Sequence, residues 1–178
     1  MAAAANDCHP ACLPACLVEK SPGLFVQAAF EILQRYPLAR FLVLGDGRLR
    51  GLLEELTARL GIHSAVLFAG MVAPAALPAL LRRLHMVVNP SLISETFCLS
   101  NIEAMSMGLP LVTFAVGGIG EYVARPDAAR GEADLFAVGP NAVVVHTASP
   151  AAIAAAALFL IEHPQVRSSM PGIQIVSI

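Results

Sequence analysis

The sequence predicts an α/β domain built on a parallel sheet that helices cover on both faces. Short apolar segments without polar interruption alternate along the chain with longer segments of helical periodicity. Strands that are buried on both faces are continuously apolar, whereas strands with one wet face alternate apolar and polar residues. Regular alternation of helices and strands is typical of doubly wound sheets. At 178 residues, the chain is long enough to bury one such core.

The predicted elements begin at Ser21 and Pro22, which favour a helix start, and this first helix runs to about Arg35. A last helix is predicted to be capped by Ser149, with Pro150 in its first turn. The elements expected between them are strands over 41–45, 65–69, 86–89, 111–115 and 142–146, and helices over 49–60, over 77–84 and from about residue 100. The stretch 124–141 is charged and weakly periodic, which predicts an insertion or a long loop.

Composition excludes several classes of function. The formal net charge of -2 gives no electrostatic basis for binding nucleic acid. Although 57% of the residues are hydrophobic, no apolar run approaches the roughly 18 residues that span a bilayer. The longest run, 151–161, predicts a buried or interfacial helix. Because the N-terminus lacks the basic and apolar parts of a signal peptide, we expect a cytoplasmic location, with membrane association left open.

The cysteines are concentrated near the N-terminus, in the stretch CHPACLPAC. Its composition suits a metal, but its spacing matches neither a C-x2-C zinc pair nor the usual iron–sulfur runs. Pro10 and Pro14 also prevent one helix from aligning the thiols. We therefore expect no metal or cofactor, and we interpret Cys16 as a small buried residue.

Two glutamates eight residues apart, Glu95 and Glu103, carry the clearest chemical signal. Glu95 precedes the predicted helix near residue 100, and Glu103 is expected in its first turn, so both carboxylates can face one cleft with the free amides of the helix start. Carboxylates accept hydrogen bonds from sugar hydroxyls, and a helix N-terminus suits a diphosphate. Two alternatives stand beside this interpretation: Ser100 and Glu103 have the spacing of a capping box, and Glu95 has the character of a solvated loop residue.

The segment 94–112, SETFCLSNIEAMSMGLPLV, followed by GGIGEYV at 117–123, resembles the donor-binding region of retaining GT-B glycosyltransferases of the family 4 type, the glycosyl transferases group 1. The residues that match the family's E-x-F-G-x4-E-A-M-x2-G-x-P-V-V pattern and its G-G-x2-E loop are Glu95, Phe97, Glu103, Ala104, Met105, Gly108, Pro110, Val112, Gly117, Gly118 and Glu121. Cys98 replaces the family's glycine, so we expect its side chain to occupy space beside the sugar.

The resemblance covers about residues 13–163 and implies a Rossmann-like parallel sheet that forms one half of a GT-B fold. We therefore expect residues 1–12 to form a poorly defined N-terminal segment, 13–163 the nucleotide-sugar-binding domain, and 164–178 a truncated tail. The stretches 41–62, 66–72 and 85–91 resemble, in turn, the family's G-D-G turn with its strand and helix, the strand beside the nucleotide base, and the strand that leads into the donor loop.

The resemblance also implies roles for individual residues. Glu95 and Lys20 would act at the reacting centre, where Glu95 holds sugar hydroxyls and Lys20 contacts the diphosphate. Glu103 would bind the ribose, and amides near Leu99 and Ser100 the departing phosphate. The remaining implied substrate-binding residues are Phe97, Cys98, Gly45 and Met71.

The upstream phosphate site departs from the family pattern G-R-L-x2-E-K-G. This chain has ACLVEKS at 15–21, where Lys20 fits the lysine and Cys16 occupies the position of the arginine. The loss of one charge-assisted phosphate contact would weaken binding by about 1.5–3 kcal/mol.

The implied function is donor binding for a glycosyltransferase that moves a sugar from a UDP- or GDP-sugar to an acceptor with retention. The family is described as two such domains, and this chain resembles the second. We therefore expect the chain to need an N-terminal acceptor domain or a partner chain, and to be inactive alone. The alternative is a non-catalytic module that binds nucleotide sugars or mediates interactions.

Overall fold

The domain is one seven-stranded sheet with helices on both faces. The computed structural model describes the main chain of residues 14–17, together with residues 21–123 and 135–170. The described elements are β1 (Pro14–Leu17), α1 (Pro22–Arg35), β2 (Phe41–Leu44), α2 (Arg50–Arg59), a 3-10 turn (His63–Ala65), β3 (Val66–Gly70), α3 (Leu77–Leu81), β4 (Met86–Asn89), α4 (Leu99–Ser106), β5 (Leu111–Thr113), α5 (Ile119–Tyr122), β6 (Phe136–Val138), β7 (Ala142–Val145), α6 (Pro150–Glu162) and α7 (Pro164–Ser169).

The strand order is β3-β2-β1-β4-β5-β7-β6. Every neighbouring pair is parallel except β6 and β7, which are antiparallel at one edge. β1 is an interior strand, and its Cys16 pairs with Val43 on one side and Val88 on the other. The chain order reverses between β1 and β4, the point at which open α/β sheets bind ligands.

The apolar strands are explained by two cores, one on each face of the sheet. Along β2, Phe41 and Val43 belong to the core beneath α1 and α6, whereas Leu42 and Leu44 belong to the opposite core. Because alternate residues of a strand point to opposite faces, both sets must be apolar. The opposite core includes Met105 from α4. The predicted α/β fold with a parallel sheet is thus confirmed.

Most predicted elements are present within a few residues of their expected bounds. The last helix begins as expected, since the Ser149 hydroxyl accepts a hydrogen bond of 3.2 Å from the Ala152 amide. The run 151–161 forms most of α6, which is largely buried in the core. None of the helices in the described part of the chain combines the length and the apolar character that crossing a bilayer requires.

The structure adds elements that the sequence pattern does not reveal. The stretch 124–141 is predicted to be a loop, but β6 lies within it and pairs with β7. β6, β1 and α5 have only three or four residues each, and none of them is a run of large aliphatic residues like those that mark β2 and β4. In the segment expected to be a tail, α7 packs on α6, and Met170 behind it is buried in the core.

Candidate functional site

The candidate site lies at the carboxyl edge of the sheet, where the loop after β4 meets the turn after β5. The Gly118 amide donates a hydrogen bond of 2.8 Å to the carbonyl oxygen of Glu95. Gly117 has a φ of 59°, a left-handed conformation that favours glycine. A Cβ on Gly117 would lie 2.7 Å from Ser94 Oγ, and one on Gly118 would overlap the carbonyl oxygen of Thr96. The glycine turn and the loop that carries Glu95 are therefore in direct backbone contact.

Glu95 is held from below by a short turn that follows β4. Its Oε1 accepts a hydrogen bond of 3.3 Å from the hydroxyl of Ser91, which is fully buried. The same hydroxyl accepts a bond of 3.3 Å from the Ile93 amide. The Glu95 side chain is half-buried, so part of it remains accessible while Ser91 holds its carboxylate.

The helix α4 begins at Leu99 with Cys98 as its N-cap, two residues earlier than the predicted capping box requires. The amides of Asn101 and Ile102 both bond to the Cys98 carbonyl, and no side chain caps the helix. The capping box of Ser100 and Glu103 is therefore not formed. Glu103 is the fifth residue of α4, in the second turn instead of the first, and its side chain is exposed.

The start of α4 presents free donors toward the site. Leu99 and Ser100 are its first two residues, so their amides have no acceptor inside the helix. Phe97 and Leu99 are 61% and 69% exposed and flank this helix start. The arrangement can bind an anion at the helix N-terminus while Glu95 accepts hydrogen bonds beside it.

Cys98 does not project toward the cleft, contrary to the expectation that its side chain occupies space beside a sugar. The residue is fully buried. Its sulfur accepts a hydrogen bond of 3.0 Å from Asn89 Nδ2 and lies 3.2 Å from the Ser100 hydroxyl. The sulfur is thus enclosed by Asn89 of β4 and Ser100 of α4.

Three polar residues next to the site were not singled out from the sequence: Asn89, Asn101 and Tyr122. Asn89 Nδ2 donates a bond of 2.7 Å to Asn101 Oδ1, and Asn101 Nδ2 donates one of 3.0 Å to the Tyr122 hydroxyl. Asn89 and Asn101 are fully buried. The available signal was the presence of an asparagine at the end of an otherwise apolar strand and another on the buried face of a helix.

Burial raises the pKa of Tyr122 from 10.0 to about 12, against the opposing effect of its hydrogen bond with Asn101. Tyr122 is therefore neutral over the physiological range. Its ring also contacts that of Phe97, with centroids 6.1 Å apart.

Gly45 and Met71 meet at the same edge, at least two strands away from the Glu95 loop. The Gly45 amide bonds to the Gly70 carbonyl at 2.9 Å, and Met71 next to it is 79% exposed. β2 and β4 are separated by β1, which corresponds to about 10 Å across the sheet. Close to Gly45, Arg50 forms ion pairs with Asp46 at 3.5 Å and with Glu54 at 2.9 Å.

Of the two residues predicted at the diphosphate, Cys16 and Lys20, the structure describes only the main chain of Cys16. Cys16 is the third residue of β1, one position before the end of this interior strand. Lys20 lies outside the described residues.

In the described ranges, no group of three or more histidine, cysteine or acidic side chains is arranged to hold a metal ion. Cys8 and Cys12 also lie outside those ranges.

Comparison with known proteins identifies relatives of this chain. It is 37% identical over 93 residues to one component of human phosphatidylinositol N-acetylglucosaminyltransferase, a match that covers 52% of this chain and 19% of the human protein. It is 36% identical over 113 residues to D-inositol 3-phosphate glycosyltransferase of Corynebacterium urealyticum, which covers 60% of this chain and 26% of that enzyme. The matches thus span about a quarter or less of these relatives' length.

Solved structures share the fold. The C-terminal domain of a glycosyl transferase group 1 family protein, LpcC, from Francisella tularensis superposes with a TM-score of 0.70 at 22% identity, covering 90% of this chain and 78% of that one. Anabaena HepE, in complex with UDP and glucose, gives a TM-score of 0.70 at 22% identity over 89% of this chain and 40% of HepE.

The family model described as "Glycosyl transferases group 1" matches residues 14–163, which is most of the chain and includes every element from β1 to α6. The predicted family is thereby confirmed. The chain belongs to the glycosyl transferases group 1, and its fold is that of the C-terminal, Rossmann-like domain of a GT-B glycosyltransferase.

Proposed function

We propose that this chain binds the nucleotide-sugar donor of a glycosyltransferase and that the whole enzyme transfers the sugar with retention at the anomeric carbon. The convergence of three features at one edge of the sheet carries the proposal: the anchored Glu95 carboxylate, the free amides at the start of α4, and the Gly117–Gly118 turn. A carboxylate and a helix N-terminus side by side suit a sugar linked to a diphosphate.

In this proposal, Glu95 accepts hydrogen bonds from sugar hydroxyls, while the amides of Leu99 and Ser100 stabilise the charge that develops on the departing phosphate. Glu103, exposed on the second turn of α4, binds the ribose. Gly45 and Met71 lie at the position of the base, about 10 Å away across β1. Lys20 contacts the diphosphate.

We propose a UDP-sugar as the donor. Support comes from the solved relatives of the same fold, several of which are described in complex with UDP and glucose or with UDP and GlcNAc. The human relative is named as part of an N-acetylglucosaminyltransferase. UDP-N-acetylglucosamine and UDP-glucose are thus the first donors to test.

Isothermal titration calorimetry of the purified chain with UDP-N-acetylglucosamine, UDP-glucose and GDP-mannose tests the proposal. We expect saturable binding of at least one UDP-sugar, weakened about tenfold by Glu95→Gln through loss of a charged acceptor. The matched control is Glu55→Gln, an exposed glutamate in the middle of α2, which should bind like the parent chain. A folded chain that binds none of these donors would refute the proposed function.

A further inference from the structure

A continuous chain of polar contacts connects Glu95 with the interior of the domain. The Ser91 hydroxyl donates to Glu95 Oε1 at 3.3 Å, and the Ser91 amide donates to Asn89 Oδ1 at 3.2 Å. Asn89 Nδ2 donates to Asn101 Oδ1 at 2.7 Å. Asn101 Nδ2 then donates to the Tyr122 hydroxyl at 3.0 Å. We call Asn89, Ser91, Asn101 and Tyr122 the polar relay.

The Ser91 amide fixes the orientation of both asparagine side chains in the polar relay. A main-chain amide can only donate, so Asn89 must turn its oxygen to the Ser91 amide and its nitrogen to Asn101. Asn101 must then present its oxygen to Asn89 and its nitrogen to the Tyr122 hydroxyl. The two amides therefore have one consistent orientation, which leaves no alternative flip with equal bonding.

The relay ties together parts of the chain that are distant in sequence. Asn89 ends β4, Asn101 lies in α4, and Tyr122 ends α5 behind the glycine turn. The Tyr122 carbonyl also accepts a bond of 2.8 Å from Asn141 Nδ2, just before β7. Elements on both sides of the Glu95 loop are thus fastened to one another beneath it.

Both ends of the relay contact residues that face the site. At one end, Ser91 holds the Glu95 carboxylate. At the other end, the Tyr122 ring contacts the Phe97 ring, which is 61% exposed beside the helix start. Asn89, Ser91 and Asn101 are themselves fully buried, where an amide or hydroxyl that loses its partner is strongly unfavourable. Each nitrogen and oxygen atom of these three buried side chains has a partner, and a network of this kind favours a single, rigid arrangement.

We propose that Asn89 and Asn101 are positioning residues, which act through Ser91 and Tyr122 to hold Glu95 and Phe97 in the geometry that recognises the sugar of a nucleotide-sugar donor. This inference rests on the function proposed above. It separates recognition of the sugar, which depends on the polar relay, from recognition of the nucleotide, which depends on other residues.

The test compares the dissociation constants of UDP-N-acetylglucosamine and of UDP for Asn101→Leu, a substitution that keeps the branched shape of the side chain, enlarges it somewhat and removes both hydrogen-bonding groups. We expect the nucleotide sugar to bind about tenfold more weakly, because Glu95 and Phe97 lose their support. UDP lacks the sugar, so its affinity should change by less than about threefold. Equal weakening of both ligands, or of neither, would overturn the inference.

Two further variants keep the test decisive. Ser91→Ala removes only the hydroxyl that reaches Glu95, and it should shift the two affinities in the same unequal way if Asn101→Leu folds poorly. Thr57→Val is the matched control: Thr57 is equally buried, and its hydroxyl donates at 2.7 Å to the Glu54 carbonyl on α2, away from the site. A similar shift in Thr57→Val would show that general loosening, and not the polar relay, is the cause.

A measurement without ligand separates this inference from the proposed function. The amides of Ile93 and Gly118 are bonded to the Ser91 hydroxyl and to the Glu95 carbonyl, so their hydrogen exchange reports how firmly the loop is held. By NMR, we expect Asn101→Leu to accelerate both by about tenfold or more, and Thr57→Val to change neither. If the chain binds no donor, the proposed function fails, and these exchange rates still decide whether Asn101 positions the Glu95 loop; unchanged rates would refute it.

Discussion

The Gly118 amide and the Glu95 carbonyl are joined by a hydrogen bond of 2.8 Å, which brings the turn after β5 against the loop after β4. This contact joins the two sequence motifs that carry the family resemblance. The backbone of the Glu95 loop occupies the space that a side chain on Gly118 would need. The glycine is therefore required by close packing, and its own φ of -63° is ordinary for any residue.

Gly118→Ala should destabilise the domain by about 2 kcal/mol, because its new methyl group overlaps the Thr96 carbonyl and must push the Glu95 loop away. Urea unfolding followed by circular dichroism measures this loss. Gly120→Ala is the control, since a Cβ there meets the Ala115 carbonyl at an ordinary 3.5 Å. Equal stability of the two variants would contradict the contact.

Glu103→Gln should leave the melting temperature nearly unchanged, because the side chain is exposed and caps no helix. Affinity for UDP should fall about tenfold if the carboxylate binds the ribose, through loss of a charged hydrogen bond. Calorimetry and thermal unfolding on the same samples provide both values. A fall in melting temperature with unchanged affinity would assign Glu103 a structural role instead.

Ionisation of Tyr122 should make the domain less stable at alkaline pH. Its pKa is raised from 10.0 to about 12 in the folded state, so the unfolded chain ionises first as the pH increases. The stabilisation is complete below about pH 10 and is lost progressively as the pH rises through about 12. Urea unfolding at pH 9 and pH 11 should show a larger loss for the parent chain than for Tyr122→Phe.

The absorbance of the phenolate provides an independent check. The chain has two tyrosines, so the difference between the titrations of the parent chain and of Tyr122→Phe isolates Tyr122. Its midpoint should lie near pH 12. A midpoint near 10 would show that the hydroxyl is solvated instead of buried.

The purified chain should bind donor without transferring sugar. Transfer requires an acceptor held in near-attack geometry opposite the anomeric carbon, and we propose that other parts of the enzyme supply that surface. Incubation with labelled UDP-N-acetylglucosamine and a broad acceptor panel tests this, with hydrolysis of the donor scored separately. Transfer that disappears in Glu95→Gln would contradict the prediction and place an acceptor site on this chain.

The fold class and the segment around Glu95 could be predicted from the sequence because both depend on local patterns. Strands such as β2 are continuously apolar because they contribute to two cores, and that signal is complete within four residues. The start of α6 is equally local, since Ser149 and Pro150 alone specify it. The family was recognised from fixed spacings between matching residues from Glu95 to Glu121.

Tertiary packing decided the rest. The capping box predicts that α4 starts at Ser100, but the helix begins after Cys98, behind a loop that is held by Ser91 and Gly118. Strand β6 is too short to be recognised alone and exists through its pairing with β7. The polar relay joins Asn89, Asn101 and Tyr122 from three separate elements. Hydrogen bonds between residues distant in sequence form only when the whole sheet brings those residues together, so no local sequence pattern can predict such bonds.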